Sequence, residues 1–328
     1  MLANQSYSVI IAMMILTLVC WGSWANTQKL ASTIRFEYFY LDYSIGVTLS
    51  AFLIGFLAGG NTPTGKSFLE NIASADFKHV VYALIGGIIF NVANFLLVAA
   101  IEIAGMSVAF PISIGIATIL GGILNYMIDP QGYLPLFSAG MVMMALAVIS
   151  ASLAYGRIKS GSTVQKPKGL VIALACGLLM SLWSPLVTFS YLPGEAALDV
   201  FGAFAMMGVG IIASSILLFP YVIKNPIIPT KIDDQTRFTK QPIAHHAGGF
   251  LGGIIWSAGT MSFYLASTRA GAAVAYTFGQ GAPLMATAWG LFAWKEFKGA
   301  TGSGKYLIAL FAFYAAGLTL LAKAASQG

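Results

Sequence analysis

Apolar runs of about twenty residues recur along nearly the whole chain, separated by short segments of Gly, Pro, Asn and charged residues. They fall at 7–27, 42–60, 78–101, 105–127, 133–154, 168–191, 198–223, 247–268, 271–294 and 305–323. A helix crossing the roughly 30 Å hydrocarbon core needs about 20 such residues, so each run is long enough for one span. The pattern predicts an all-α polytopic membrane protein with ten transmembrane helices. The connections at Ala104-Gly105 and Ala270-Gly271 are short enough to make tight hairpins of spans three and four and of spans eight and nine. The first run, MLANQSYSVIIAMMILTLVCWGSW, has no basic n-region and no A-x-A site, so it reads as a retained span rather than a signal peptide.

The spans repeat. Residues 86–115 align without a gap on 252–281, an offset of 166, and ten of these 30 positions are identical, against roughly two or three expected from so biased a composition. Trp24 pairs likewise with Trp183, and Leu41-Asp42 with Leu198-Asp199. The expected organisation is a five-helix repeat over 1–156, a cytosolic linker over 157–168 and a second repeat over 169–328. Five is odd, so the second repeat enters the membrane upside down. Two inverted repeats meeting at a midplane site are the architecture of alternating-access carriers.

Composition agrees with the pattern and narrows it. Of 328 residues 58% are hydrophobic and 9% charged, with a mean hydropathy of +0.82. Soluble domains carry roughly 25% charge, so a soluble enzyme is excluded and little chain remains for an extramembrane domain. The net charge of +6 comes from 17 Lys and Arg scattered through connections, not from a basic face interleaved with aromatics, so nucleic acid is not an expected partner. Thirteen of those 17 follow odd-numbered spans, which places both termini outside the cytoplasm of a multi-pass cell inner (plasma) membrane protein. The two cysteines, Cys20 and Cys176, lie in apolar runs and imply neither disulfide nor metal.

All eleven carboxylates fall in connections or within a turn of a span end. Asp42 and Asp199, at the starts of spans two and seven, read as helix N-caps, with proton coupling as the other role. Glu102, at the turn between spans three and four, is a further coupling candidate. Span interiors offer neutral hydrogen-bonding groups instead. Asn91 and Asn94 are three apart in span three, and their repeat partners Ser257 and Thr260 stand beside Trp256 in span eight. Tyr276 and Gln280 are four apart in span nine. Residues three or four apart share a helix face. For each of these residues interhelical bonding and substrate contact are both open, and recurrence in the two halves favours a shared cavity. Trp24 and Trp183 precede helix-disturbing residues, Ala25-Asn26-Thr27 and Ser184-Pro185, and their indoles suit stacking on a planar ring.

Other motifs are set aside. GATGSGKY at 299–306 has phosphate-loop spacing, but Tyr306 stands where Ser or Thr is required and no strand precedes it. The sequon at Asn4 matters only in a glycosylating host. No Ser/His or paired-Asp constellation lies within the spans, which disfavours a membrane enzyme, and no ring of charges suggests a channel filter. No cofactor or metal is expected, and oligomeric state is not readable.

CWGSW and FYLDYSIG in the first two spans, GGIIFNVAN in the third, TILGGILNYMIDP in the fourth, SLWSP in the sixth and QGAPLMATAWGLFAWKEF in the ninth together resemble the ureide permease family of the drug/metabolite transporter superfamily, in a bacterial-type member. The resemblance implies a ten-helix carrier, and in plant members uptake of allantoin, uracil and related oxo-substituted nitrogen heterocycles coupled to protons. The chain departs from the plant pattern in its short central loop, YGRIKSGSTVQKPKG, and in Gly-Ser-Trp-Ala where the family has Gly-Thr-Trp-Pro. The expected function is therefore import of a small neutral polar metabolite, a ureide or nucleobase, through the lipid bilayer with protons as coupling ion. A sugar:proton symporter of the rhamnose or glucose/ribose type is the alternative, followed by a metabolite exporter or a non-transport membrane protein.

Overall fold

The computed structural model describes residues 6–30, 35–61, 65–158, 166–194, 196–225 and 238–327. Most of the central linker, the segment 226–237, Glu195 and most of the Asn4 sequon lie outside the described residues.

Helices account for all regular structure among the described residues. They are α1 (Tyr7–Ser23), α2 (Thr27–Leu30), α3 (Phe36–Ala58), α4 (Phe68–Ser74), α5 (Phe77–Ala104), α6 (Met106–Ile128) and α7 (Leu134–Tyr155) in the first part of the chain. Next come α8 (Lys166–Tyr191), α9 (Val200–Lys224), α10 (Ile243–Ala270), α11 (Ala272–Gly279), α12 (Ala282–Ala288) and α13 (Gly304–Ser326). Among the described residues nine helical segments are long and apolar enough to cross a membrane: α1 with α2, then α3, α5, α6, α7, α8, α9, α10 and α13. The protein is a polytopic helical membrane protein.

The expected span over 271–294 is not one helix. It divides into α11, α12 and a π turn at Trp289–Ala293, with the break at Gly279-Gln280-Gly281. Two glycines weaken the helix there, and Pro283 brings no N–H to continue the ladder. The second span begins earlier than expected, at Phe36, so Asp42 sits inside α3 and is not a cap. Asp199 does stand at the start of α9, where its side chain accepts the Gly202 N–H at 2.7 Å. Pro185 lies within α8 without ending it. Trp24–Asn26 form a 3-10 turn between α1 and α2, where Thr27 Oγ1 donates to Trp24 O and Asn26 Nδ2 to Ser23 O.

Packing follows a two-fold pattern. α5 packs on α8 and α9, while α10 packs on α1 and α3; α7 pairs with α13, α3 with α9, and α6 with α11. Repeat-related glycines make some of the close approaches. A Cβ at Gly87 would strike the backbone of Met207 on α9, and one at Gly253 the backbone of Tyr43 on α3. One residue before each, a Cβ at Gly86 would come within 3.1 Å of Trp183 O, and one at Gly252 within 3.3 Å of Trp24 O. Helix association in lipid relies on such small-residue contacts because the bilayer supplies no hydrophobic drive between spans. Large apolar side chains such as Leu57, Leu217 and Ile308 point outward.

Gly87→Val therefore lowers the thermal midpoint of the purified protein, with an overpacking cost of about 1–3 kcal/mol. Gly60→Ala, at a position with nothing within 4 Å among the described residues, leaves it unchanged. Fluorescence-monitored melting of the two variants checks this.

Candidate functional site

A cavity of about 320 Å³ opens among α1, α5, α8, α10 and the α11–α12 break. Its walls are aromatic, with Trp21, Trp24, Phe36, Phe90, Trp183 and Trp256, and its polar side chains are Gln28, Asn94 and Gln280. Among the described residues no charged side chain lines it. The indoles brace one another: Trp21 lies parallel to Trp256 with centroids 6.4 Å apart and meets Trp183 edge-on at 6.0 Å, while Phe90 lies 4.7 Å from Trp256. Trp24 leans on Tyr43 at 4.4 Å. Such contacts hold flat faces in fixed orientations and favour a planar guest.

The polar groups at the wall are only partly committed. Asn94 Nδ2 donates to Tyr40 OH at 3.0 Å, which leaves its second N–H and its carbonyl oxygen. Gln280 follows α11, its backbone N–H bonded to Tyr276 O, and its side-chain amide lines the cavity. Trp183 Nε1 is buried without an acceptor among the described residues. An unmatched buried donor costs about 1–3 kcal/mol.

Of the residues singled out by sequence, Trp24, Asn94, Trp183, Trp256 and Gln280 line this cavity. Asn91, Ser257, Thr260 and Tyr276 do not. Asn91 donates to Ser214 Oγ at 2.9 Å and accepts from Ser215 Oγ at 3.3 Å, tying α5 to α9. Ser257 donates to Val47 O at 3.4 Å, and Tyr276 OH bonds the carbonyls of Ala117 and Met180. Thr260 stands one layer back, accepting Trp21 Nε1 at 2.9 Å, and so orients a wall residue. Trp21 itself was missed, although CWGSW places it three residues before Trp24 on the same helix face. Phe90 was missed too; with Asn94, Leu97 and Ile101 it forms the cavity stripe of α5 at four- and three-residue steps. Asn91 is one position off that stripe.

Asp42 is buried and accepts from His246 Nδ1 of α10 at 2.8 Å, beyond Tyr43 from the cavity. Burial pushes the Asp199 carboxyl above its usual range, opposed by the Gly202 N–H bonded to it. Glu102 occupies the last turn of α5, and its side chain lies outside the described residues. No group of three His, Cys, Asp or Glu among the described residues could hold a metal ion. A second hollow, between α6 and α7, is walled by apolar residues such as Ile119 and Ile149 that are exposed to the surroundings of the bundle.

Residues 39–157, from the start of α3 to the end of α7, match the family model of ureide permeases. The chain is similar to ureide permease 2 of Arabidopsis thaliana, 34% identical over 126 residues, which are 37% of this chain and 32% of that protein. It is also similar to probable ureide permease A3 of Vigna unguiculata, 33% identical over 126 residues, covering 37% and 34%. The matched stretch thus spans about a third of the length of these curated relatives. A solved crystal structure superposes on 96% of this chain and 96% of its own at a TM-score of 0.64 with 16% identity, a likeness of fold.

Tyr276→Phe removes the hydroxyl bonded to two carbonyls and leaves the cavity wall intact. It lowers stability by about 1 kcal/mol while ligand affinity stays at the wild-type value. Thermal melting with and without ligand separates the two effects.

Proposed function

We propose that this chain is a secondary active transporter of the ureide permease type, importing a small neutral planar metabolite, a ureide or nucleobase such as allantoin or uracil, by alternating access. The observation that carries the reading is the composition of the cavity: six aromatic rings, three amides and no charged side chain among the described residues. Burying an unpaired charge there is costly, which selects against ionic substrates. Amides offer both donor and acceptor, matching the alternating N–H and carbonyl groups of such heterocycles. The partial match to ureide permeases supports the same class.

Ten crossings in two inverted repeats are part of this proposal, with α11, α12 and the π turn as the broken tenth. Symmetric packing of repeat-related glycines and discontinuous helices at the site support it. The basic residues at the Gln28 and Phe36 end favour a cavity open to the cytoplasm with both termini outside. For proton coupling we assign Asp42, paired with His246 at the foot of α3. Arg35, just before α3, lies 3.4 Å from Glu37 in its first turn and also donates to Ile223 O.

Uptake of labelled allantoin and uracil into proteoliposomes tests this. Saturable uptake, stimulated by an inward proton gradient and competed by heterocycles but not by rhamnose, glucose or ribose, is the expected result. Competition by sugars alone would favour the sugar symporter, and absence of flux a non-transport protein. Asn94→Ala and Gln280→Ala each raise the apparent substrate constant about tenfold, or about 1.4 kcal/mol, with expression unchanged; two unaltered constants would remove both residues from the site. Asp42→Asn retains substrate binding and loses stimulation by the proton gradient, measured as uptake with and without the gradient.

A further inference from the structure

The two hairpins have one backbone conformation but unequal surroundings. Gly105, between α5 and α6, has φ 79° and ψ 157°; Gly271, between α10 and α11, has φ 80° and ψ 145°. A Cβ at Gly271 would meet Gln131 Cβ at 2.6 Å, and Asp129, just past the end of α6, accepts the Ala272 N–H at 3.1 Å. The α10–α11 hairpin is therefore closed onto the α6–α7 connection. At Gly105 the corresponding position has nothing within 4 Å among the described residues. This hairpin packs through Ala104 on Gly169 of α8, has no contact at Gly105 corresponding to that of Gln131 at Gly271, and flanks the cavity, since Ile101 before it and Ile114 after it both line the wall.

Register identifies what would close it. The offset of 166 sets Met106 opposite Ala272. Past that stretch the π turn at Trp289–Ala293 holds one residue more than an α-helical turn, so the offset becomes 167 and Asp129 corresponds to Glu296. In this conformation Glu296 pairs with Lys29 at 3.0 Å, the two side chains being 39% and 43% exposed, and Lys29 also lies 3.9 Å over the Trp294 ring. An ion pair so open to solvent holds its partners weakly. The Met106 N–H belongs to the first turn of α6, where a helix offers no internal acceptor and favours a carboxylate.

We infer that Asp129 and Glu296 are alternating latches. Asp129 caps α11 and shuts one end of the protein here; in the opposite conformation Glu296 leaves Lys29, caps α6 at the Met106 N–H and closes the mouth that is open here, while Asp129 lets go. The inference rests on the alternating-access reading above and assigns its two gates.

Labelling of Val98→Cys, a half-buried cavity position near the mouth, by a water-soluble maleimide in the solubilised full chain tests it; Cys20 and Cys176 are buried and give the background. Glu296→Ala removes the second latch and speeds labelling. Asp129→Ala removes the first and slows it, and Lys29→Gln, which frees Glu296, slows it as well. Each change corresponds to about a tenfold shift between the two conformations. If Glu296 merely partners Lys29, Glu296→Ala and Lys29→Gln move labelling in the same direction; that result, or no change in Glu296→Ala, overturns the inference. Both of these residues are exposed, so the comparison stands even where Asp129→Ala disturbs folding. Labelling needs no flux: normal uptake without opposed shifts discards the latches alone, while opposed shifts without uptake of either heterocycle discard the substrate assignment alone.

Discussion

Within a bilayer every backbone N–H and C=O has to find a partner inside the protein, and the arrangement of this chain follows from that constraint. Most spans meet it by remaining continuous helices. The first is interrupted at Trp24–Asn26, and residues 271–294 divide into shorter helices; both interruptions border the cavity. At Trp24–Asn26 side chains of Thr27 and Asn26 take up carbonyls through donation to Trp24 O and Ser23 O. At Gly279-Gln280-Gly281 the Gln280 and Gly281 N–H groups turn back to Tyr276 and Phe278. A broken helix exposed to lipid would leave polar groups unmatched, whereas beside a cavity its irregular backbone can face a guest.

The same constraint sorts the polar side chains. Asn91, Ser257 and Tyr276 bond across helix contacts at zero exposure, and the network from Asn125 through Thr188 and Tyr191 to Ser267 joins α6, α8 and α10. Each such bond contributes about 1 kcal/mol to helix association, and together they fix the relative positions of the aromatic walls. Asn94 and Gln280 differ in that the cavity lies beside them. Under the proposed function recognition rests on few polar groups held in a frame of indoles, and that frame depends on buried hydrogen bonds one layer out, such as Trp21 Nε1 to Thr260 Oγ1.

Much of this was legible in the chain. Hydropathy located nine helices long and apolar enough to cross a membrane among the described residues, because lipid-facing helices must be apolar, and the repeat marked Gly86-Gly87 and Gly252-Gly253 as equivalent before their matching contacts with Trp183, Met207, Trp24 and Tyr43 were known. The break in 271–294 was less visible, since short helices of apolar residues have the hydropathy of one long span. Asp42 was misread as a cap because apolar periodicity starts after it, whereas Phe36, Tyr38 and Phe39 extend α3 backwards on aromatic contacts. Assigning Asn91 and Asn94 to one face failed for a geometric reason: residues three apart are about 60° apart around a helix, enough for one to meet α9 and the other the cavity.

Symmetry in sequence with asymmetry in structure is itself informative. If the two repeats held identical conformations, Gly105 and Gly271 would have equivalent neighbours. They share a backbone geometry, yet Gly271 is wedged against Gln131, while a Cβ at Gly105 would meet nothing within 4 Å among the described residues. The hairpins thus share one turn conformation, and the difference lies in what each meets among the described residues. Under the alternating-access proposal such a chain has two arrangements, each closing one end of the cavity, and packed interfaces exchange between discrete states instead of deforming continuously.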